Sequence, residues 1–236
     1  MSLELPPSRG DLLEITRIQR WRVRWLLNLQ RYWQQLLNSP VDSHENLQLE
    51  RSGFGEAPDD PRAGMSGGLA MMWNNEMDLQ ITSCSSHHID AIVKQRNGKW
   101  WRYTGIYGHP EAAQKVHTWN LLRRLSSLFK LPWLCSGDFN EILDQKEKSG
   151  GLPKDPFLMM DFMDVLKECG LVDMGWRGYL FTWSNKRFGS RLIEERLDRF
   201  LCNMEWQSIF QTLKVEHIND WCSDHCPILL EAGIST

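Results

Sequence analysis

The chain has no apolar run that approaches the roughly 20 residues needed to span a bilayer, so we expect no membrane-spanning helix. Its first 11 residues also lack the apolar segment of a secretory signal. The chain has six cysteines in 236 residues. Cys222 and Cys226 have no second pair at zinc-ligand spacing. Because most of the cysteines lie in apolar stretches, we expect small buried thiols in a reducing compartment.

Positive charge is not in excess either. The net charge is −3, so the chain as a whole does not attract polyanions, and binding of nucleic acid would need a local basic surface. The hydrophobic fraction of 42% and the charged fraction of 24% are ordinary for a globular protein of one large domain. A serine hydrolase of the α/β type is disfavoured, because the chain has no Gly-x-Ser-x-Gly elbow.

The chain divides by pattern into residues 1–64 and residues 65–236. In the first part, apolar residues at helical intervals predict one amphipathic helix over 11–37, on the evidence of Ile15, Ile18, Trp25, Leu29, Trp33 and Leu36. Residues 40–64 are rich in Pro, Gly, Asp and Ser, which predicts a mobile linker. The second part reads as α/β, with helices over 111–129 and 155–169. Its strands are predicted over 67–73, 79–83, 88–95, 100–107, 131–136, 181–184, 196–202, 213–217 and 227–230.

The segment Gly137-Asp138-Phe139-Asn140 follows a short apolar run typical of a buried strand. Asp138 and Asn140 are two residues apart, so in extended backbone their side chains point the same way. A carboxylate there can take a proton from water, and an amide can donate to a phosphate oxygen. This pairing suits hydrolysis of a phosphodiester, and an Asx-type turn is the structural alternative.

Ser223-Asp224-His225 lies between two predicted strands. A protonated His225 can stabilise charge on a phosphoryl oxygen, and Asp224 can bind Mg²⁺, which prefers carboxylate and water. Asp198 lies in an apolar strand and needs a partner, either an imidazole N–H or a nearby arginine. Tyr107 ends a strand, where its phenol could donate to a phosphate or serve as an aromatic at the rim.

Taken together and in order, these pieces resemble the active-site motifs of the endonuclease/exonuclease/phosphatase superfamily, which has the DNase I-like fold. The nearest resemblance, over about 65–236, is to the endonuclease domain of plant LINE-type (non-LTR) retrotransposons. It rests on Ser66-Gly67-Gly68-Leu69-Ala70, His88-Ile89-Asp90, Tyr107-Gly108-His109-Pro110, Phe181-Thr182-Trp183-Ser184-Asn185 and Arg196-Leu197-Asp198-Arg199-Phe200-Leu201. The resemblance implies a two-sheet α/β sandwich that nicks DNA in the nucleus with Mg²⁺ or Mn²⁺.

The resemblance also implies roles for single residues. Asp138 would align or deprotonate the attacking water, with Asn140 holding the phosphate. His225 would stabilise the transition state, oriented by Asp198. Asp224 would lie at the metal. Tyr107 would contact the scissile phosphate, and DNA contacts are expected from Trp183, Asn185, Lys186, Arg187 and Arg191. For Trp183, stacking on a base and packing in the core are equal alternatives.

One part of the family pattern is missing from the sequence. The family opens with an Asn-bearing strand and a strand that carries a metal-binding Glu, both expected before Gly67, where helix and linker are predicted. Glu14 lies in the predicted helix, and Glu45, Glu50 and Glu56 lie in the predicted linker. We therefore expect an N-terminally incomplete domain with impaired metal binding. The alternatives are an inactive remnant that keeps the fold, or a sibling phosphoesterase acting on apurinic sites, phosphoinositides or sphingomyelin.

Overall fold

A computed structural model describes residues 21–25, 47–52, 69–74, 77–95, 97–210, 212–218 and 223–233. The strands are Trp21–Trp25 (β1), Leu47–Ser52 (β2), Leu69–Asn74 (β3), Asp78–Ser85 (β4), His88–Lys94 (β5), Trp100–Tyr107 (β6), Trp133–Asp138 (β7), Lys148–Ser149 (β8), Val172–Asp173 (β9), Arg177–Gly178 (β10), Trp183–Ser184 (β11), Glu194–Glu195 (β12), Asp198–Cys202 (β13), Thr212–His217 (β14) and Ile228–Gly233 (β15). The α-helices are Lys115–Leu128 (α1), Pro156–Cys169 (α2) and Met204–Ile209 (α3).

Two large sheets organise the fold. One has six strands in the order β4-β5-β6-β7-β13-β9, and the other has four in the order β1-β15-β14-β10. In the six-stranded sheet β6 and β7 run parallel, whereas β7 and β13 run antiparallel. Two smaller sheets, β11-β12-β8 and β2-β3, complete the topology of the described residues.

The six-stranded sheet is covered on both faces. Two consecutive residues of β13 show this: Phe200 lies in the core cluster that contains Leu230 of the second sheet, whereas Leu201 lies in the cluster that contains Trp119 of α1 and Phe162 of α2. Successive side chains of a strand point to opposite faces, so one strand can serve both cores. The predicted two-sheet α/β sandwich is therefore confirmed.

Helix α2 begins and ends at the residues that the sequence indicates. The Asp155 carboxylate accepts a hydrogen bond from Phe157 N at 2.9 Å, and Pro156 occupies the first turn, where its missing N–H costs nothing. Gly170 ends the helix with a φ of 66°, a left-handed conformation that glycine adopts without strain. None of the helices among the described residues is long and apolar enough to cross a membrane.

The predicted helix over 11–37 is wrong at Trp21–Trp25, which forms β1 and pairs antiparallel with β15. The remainder of that prediction lies outside the described residues. The segment reads Trp-Arg-Val-Arg-Trp, so apolar and basic residues alternate with a period of two, and this short strand pattern is hidden within a longer helical one. β1 therefore adds a strand from residues 1–64 to a sheet whose other strands, β10, β14 and β15, come from the second part of the chain.

The predicted linker over 40–64 is likewise wrong at Leu47–Ser52, which is β2 and pairs antiparallel with β3. Here too leucines alternate with polar residues at the period of a strand. The expectation that residues before Gly67 supply only helix and linker is therefore overturned, because two strands come from that part of the chain. Glu50 lies on β2, opposite Met71 in the register. The domain boundary near residue 64 stays a prediction.

Candidate active site

Three adjacent strands bring their final or first residues into one row. In the register of the six-stranded sheet Tyr107 lies opposite Asp138, and Asp138 lies opposite Asp198. The row requires glycine at position 137, where φ is 143° and a Cβ would lie 2.0 Å from the carbonyl oxygen of Ile106. The parallel β6–β7 pair therefore places a phenol beside a carboxylate at one end of the sheet.

Asn140 holds the carboxylate of Asp138 in place. Its backbone N donates to Asp138 Oδ1 at 2.8 Å, and its side-chain Nδ2 donates to Asp138 Oδ2 at 3.0 Å. The same Nδ2 donates to the carbonyl of Gly108 at 2.8 Å, so both amide N–H bonds are used within the protein. The predicted contact of this amide with a phosphate would require one of these hydrogen bonds to open.

His225 is the partner of Asp198, which decides between the two alternatives left by the sequence. Its Nδ1 lies 2.8 Å from Asp198 Oδ2, and its Nε2 lies 3.8 Å from Asp138 Oδ2. Asp198 is 1% exposed, and its backbone N donates to Thr182 Oγ1 at 2.9 Å. Trp183 forms a β-bridge to His225. The imidazole therefore lies between the carboxylates of Asp138 and Asp198, and its hydrogen bond to Asp198 holds the ring in place.

This arrangement shifts the pKa values of both central groups. Burial lowers the pKa of His225, but the charge and hydrogen bond of Asp198, with Asp138 and Asp224, outweigh it and raise that pKa to about 9. Burial raises the pKa of Asp138 to about 7, with His225 acting against the shift and Asp198 adding to it. Near neutral pH the proton therefore resides on His225, beside a carboxylate that titrates close to neutrality.

These residues surround one cleft of about 390 Å³. Its walls consist of Tyr107, Pro110, Asp138, Asn140, Lys154, Trp183, Glu195, Leu197, Asp224 and His225. Five of the six predicted catalytic residues line the cleft directly. The sixth, Asp198, contacts it through the His225 ring.

No protein-family profile matches the chain, and no curated protein matches its sequence. The endonuclease domain of TRAS1, a telomere-specific non-LTR retrotransposon, superposes with a TM-score of 0.59 at 13% identity, over 80% of each chain. An AP endonuclease from Leishmania major gives a TM-score of 0.60 at 12% identity, over 81% of this chain and 72% of that one. A 3′ phosphatase from Neisseria, NExo, gives 0.57 at 15% identity, over 91% and 99%. The fold is DNase I-like.

Within this DNase I-like fold, Asp224 is the predicted metal ligand. Its Oδ2 accepts a hydrogen bond from Trp183 Nε1 at 3.3 Å, and it lines the cleft. Among the described residues no three His, Cys, Asp or Glu side chains form a group that could hold a metal. Mg²⁺ commonly uses one or two carboxylates and takes its other ligands from water and substrate phosphate, so the oxygen donors present fit a hard cation held loosely.

The predicted DNA contacts fall into two groups. The Asn185 side chain stabilises its own loop through three hydrogen bonds. Its Oδ1 accepts from the backbone N of Arg187 at 3.1 Å and of Ile193 at 3.0 Å, and its Nδ2 donates to the carbonyl of Arg191 at 2.9 Å. Arg187, Arg191 and Lys186 are exposed on this loop, which follows the cleft residue Trp183. The loop therefore presents its basic side chains outward from a rigid base.

Sequence reasoning missed a second polar layer at the cleft. Lys154 and Glu195 line the wall, with Lys154 Nζ 3.0 Å from Glu195 Oε2. Lys115 is buried behind Asn140 and donates to its backbone carbonyl. Thr182 accepts backbone hydrogen bonds from both Leu197 and Asp198. The Gly150-Gly151 pair just before Lys154 is a sequence signal for a tightly packed loop in this region.

Proposed function

We propose that this chain hydrolyses phosphodiester bonds in DNA, as a Mg²⁺-dependent endonuclease. The observation that carries the proposal is the buried Asp198–His225 pair beside Asp138 in a single cleft. A general base that titrates near neutrality and a cation next to it are what in-line attack of water on a phosphate diester requires. The retrotransposon endonuclease among the similar structures agrees with the LINE-like motifs, and nuclear location belongs to the same proposal.

Each cleft residue has a role in this mechanism. Asp138 orients and deprotonates the attacking water, with Asn140 fixing the direction of its carboxylate. The protonated His225 stabilises the negative charge that develops on the phosphoryl oxygens, and Asp198 keeps the ring charged. Burial and the nearby Asp138 raise the pKa of Tyr107, so its phenol stays protonated and donates to a phosphate oxygen.

Mg²⁺, or Mn²⁺ in its place, would neutralise phosphate charge at the cleft, with Asp224 as its protein ligand. Glu50 lies on β2, and Glu14, Glu45 and Glu56 lie outside the described residues. With one carboxylate ligand proposed at the cleft, the metal binds weakly and is positioned less well. Turnover is therefore slow, by about 10²–10⁴-fold relative to a relative with the full ligand set.

Nicking of supercoiled plasmid by the purified chain tests the proposal. We expect slow conversion to open circles with Mg²⁺ and none with EDTA. Asp138→Ala should abolish it, whereas Asp161→Asn, an exposed position on α2, should leave it unchanged. Activity that survives Asp138→Ala would mean that another nuclease is responsible. A rate equal to that of an intact relative would refute the proposed loss of a metal ligand.

The second candidate is a non-catalytic remnant that keeps the fold. It is favoured by one observation, namely that the described residues contain no group of three metal-binding side chains. The plasmid assay separates the two candidates, provided that circular dichroism shows the protein to be folded. A folded protein with no nicking above the Asp138→Ala background would identify the remnant.

A further inference from the structure

Lysine and glutamate side chains alternate in a series of ion pairs that extends from Lys115, behind Asn140, to the cleft. Lys115 Nζ is 3.1 Å from Glu141 Oε2, and Lys154 Nζ is 3.9 Å from Glu141 Oε1. Lys154 Nζ is also 3.0 Å from Glu195 Oε2, and the other oxygen of Glu195 pairs with Lys148. Three lysines and two glutamates therefore form one connected network.

The network has a surplus of one positive charge, and its burial determines where that charge is presented. The side chains of Lys115, Glu141, Lys148 and Glu195 are at most 7% exposed, whereas that of Lys154 is 23% exposed. Burial alone would raise the pKa of Glu195, but the two lysines hold it below its usual value, so Glu195 is ionised at neutral pH. The three lysines and two glutamates thus carry a net charge of +1, and Lys154, which pairs with Glu195, is the member of the network that contacts solvent most.

The loop that carries Lys154 is built to place it there. A Cβ on Gly150 would lie 2.0 Å from the carbonyl oxygen of Leu192, and Gly150 has a φ of 75°, so glycine is needed for this approach. The backbone N of Lys154 donates to Gln145 Oε1 at 3.0 Å, and β8 pairs with β12 on one side of the loop. The backbone at Lys154 is therefore held in place, and its ammonium group is positioned by Glu141 and Glu195, which lowers the entropy cost of using it.

Among the described residues that line the cleft, Lys154 alone is a lysine or arginine, and it shares the wall with His225 and Asp224. We infer that Lys154 anchors an anion subsite of the cleft, which binds a backbone phosphate of the nucleic-acid substrate. This inference rests on the proposed function for its ligand, although its charge geometry does not depend on catalysis. A positive group at this wall offsets the repulsion between a polyanion and the carboxylates of the cleft.

The test measures binding of a short fluorescent DNA duplex by anisotropy, without Mg²⁺ and over a range of salt concentrations. Each phosphate contact contributes about 0.9 to the slope of log affinity against log salt. Lys154→Met should weaken binding several-fold and reduce the slope by about 0.9, and Lys154→Arg should restore both. Lys130→Met, at an exposed lysine between α1 and β7, should change neither.

Glu195→Gln gives the opposite expectation and so separates ligand binding from structural support. It releases Lys154 from its nearest carboxylate and leaves a larger positive surplus, so affinity and salt slope should both increase. If Lys154 only neutralises Glu195, the gain from Glu195→Gln would persist in the Lys154→Met/Glu195→Gln double variant, whereas a subsite at Lys154 predicts that most of the gain is lost there. Should Lys154→Met fail to fold, Lys154→Gln takes its place in both comparisons. An unchanged salt slope in a folded Lys154→Met protein, or weaker binding by Glu195→Gln, overturns the inference.

The outcomes also separate this inference from the proposed function. If the wild-type protein does not nick DNA but its binding loses one contact in Lys154→Met, the subsite stands and the proposed hydrolysis is wrong. If the protein nicks DNA and Lys154→Met leaves both KM and the salt slope unchanged, hydrolysis stands and the subsite is refuted. In an active protein the expected effect is a higher KM with kcat nearly unchanged, because a remote phosphate is bound equally in ground and transition states.

Discussion

Replacing Asp198 by asparagine removes the charge that keeps His225 protonated and leaves the shape of the side chain almost unchanged. In the wild-type protein the pKa of His225 is raised to about 9, chiefly by this carboxylate acting against burial. Without that charge only Asp138 and Asp224 act against burial, so the pKa should fall toward the ordinary imidazole value of 6.5. The backbone hydrogen bond from position 198 to Thr182 is untouched, so the strand should keep its register.

The loss of protonation gives a pH-dependent loss of activity. With the two pKa values above, at pH 8 the imidazolium fraction falls from about 90% to about 3%, which predicts a ~30-fold lower rate in Asp198→Asn. At pH 6 the fractions are about 100% and about 76%, so the rates should differ less than about twofold. Nicking rates at the two pH values, together with an NMR titration of the histidine ring protons, measure the effect.

Asp161→Asn serves as the matched control, because it makes the same chemical change at an exposed position on α2. It should leave the His225 titration and the rates unchanged at both pH values. A rate ratio for Asp198→Asn that is the same at pH 6 and pH 8 would show that the carboxylate acts only by holding the ring in place. A His225 pKa that stays near 9 would refute the electrostatic argument itself.

Four further predictions concern pH and stability. The wild-type kcat/KM should rise through about pH 7 as Asp138 ionises and fall above about pH 9 as His225 loses its proton, and a profile without both limbs would contradict the assignment. Gly137→Ala should strongly destabilise the protein in chemical unfolding, because the methyl group would overlap a carbonyl oxygen. Glu147→Gln leaves two buried arginines without a full partner and should lower the free energy of unfolding by about 3 kcal/mol. Because the pKa of Asp173 is lowered to about 2, after burial is outweighed by the same arginines, its stabilisation should hold above about pH 4 and be lost toward pH 2 in acid unfolding.

The sequence predicts those features that depend on neighbours in the chain. The residues that begin and end α2 are adjacent to the helix in the chain, so Asp155, Pro156 and Gly170 are sufficient to predict its bounds. The motifs that line the cleft were predicted because their order and combination resemble those of the endonuclease/exonuclease/phosphatase superfamily. β1 was not, because five alternating residues give a weaker signal than the helical intervals on either side of them.

Contacts between distant parts of the chain could not be predicted from the sequence. The amide of Asn140 bonds to a carbonyl 32 residues earlier and to the carboxylate of Asp138, whereas its contact with a phosphate stays a prediction. The pairing of Lys148 with Glu195 spans 47 residues and depends on the register of β8 with β12. Periodicity and motif order carry no information on such registers, so a lysine in a glycine-rich loop could not be assigned to the cleft.

The electrostatics of the cleft reflect a conflict between the proposed base and the proposed polyanionic substrate. A net charge of −3 and the carboxylates of Asp138, Asp224 and Glu195 at the walls oppose the approach of a polyanion. Fewer carboxylates would remove the base and the proposed metal ligand, so the opposition has to be met by cations placed among them. Two such cations that line the cleft are His225 and Lys154. In both cases a buried charge determines the electrostatics of a group that faces the cleft, because Asp198 keeps His225 protonated and Lys148 offsets the charge of Glu195. Altering either buried group should therefore change substrate binding or pH dependence without touching the substrate.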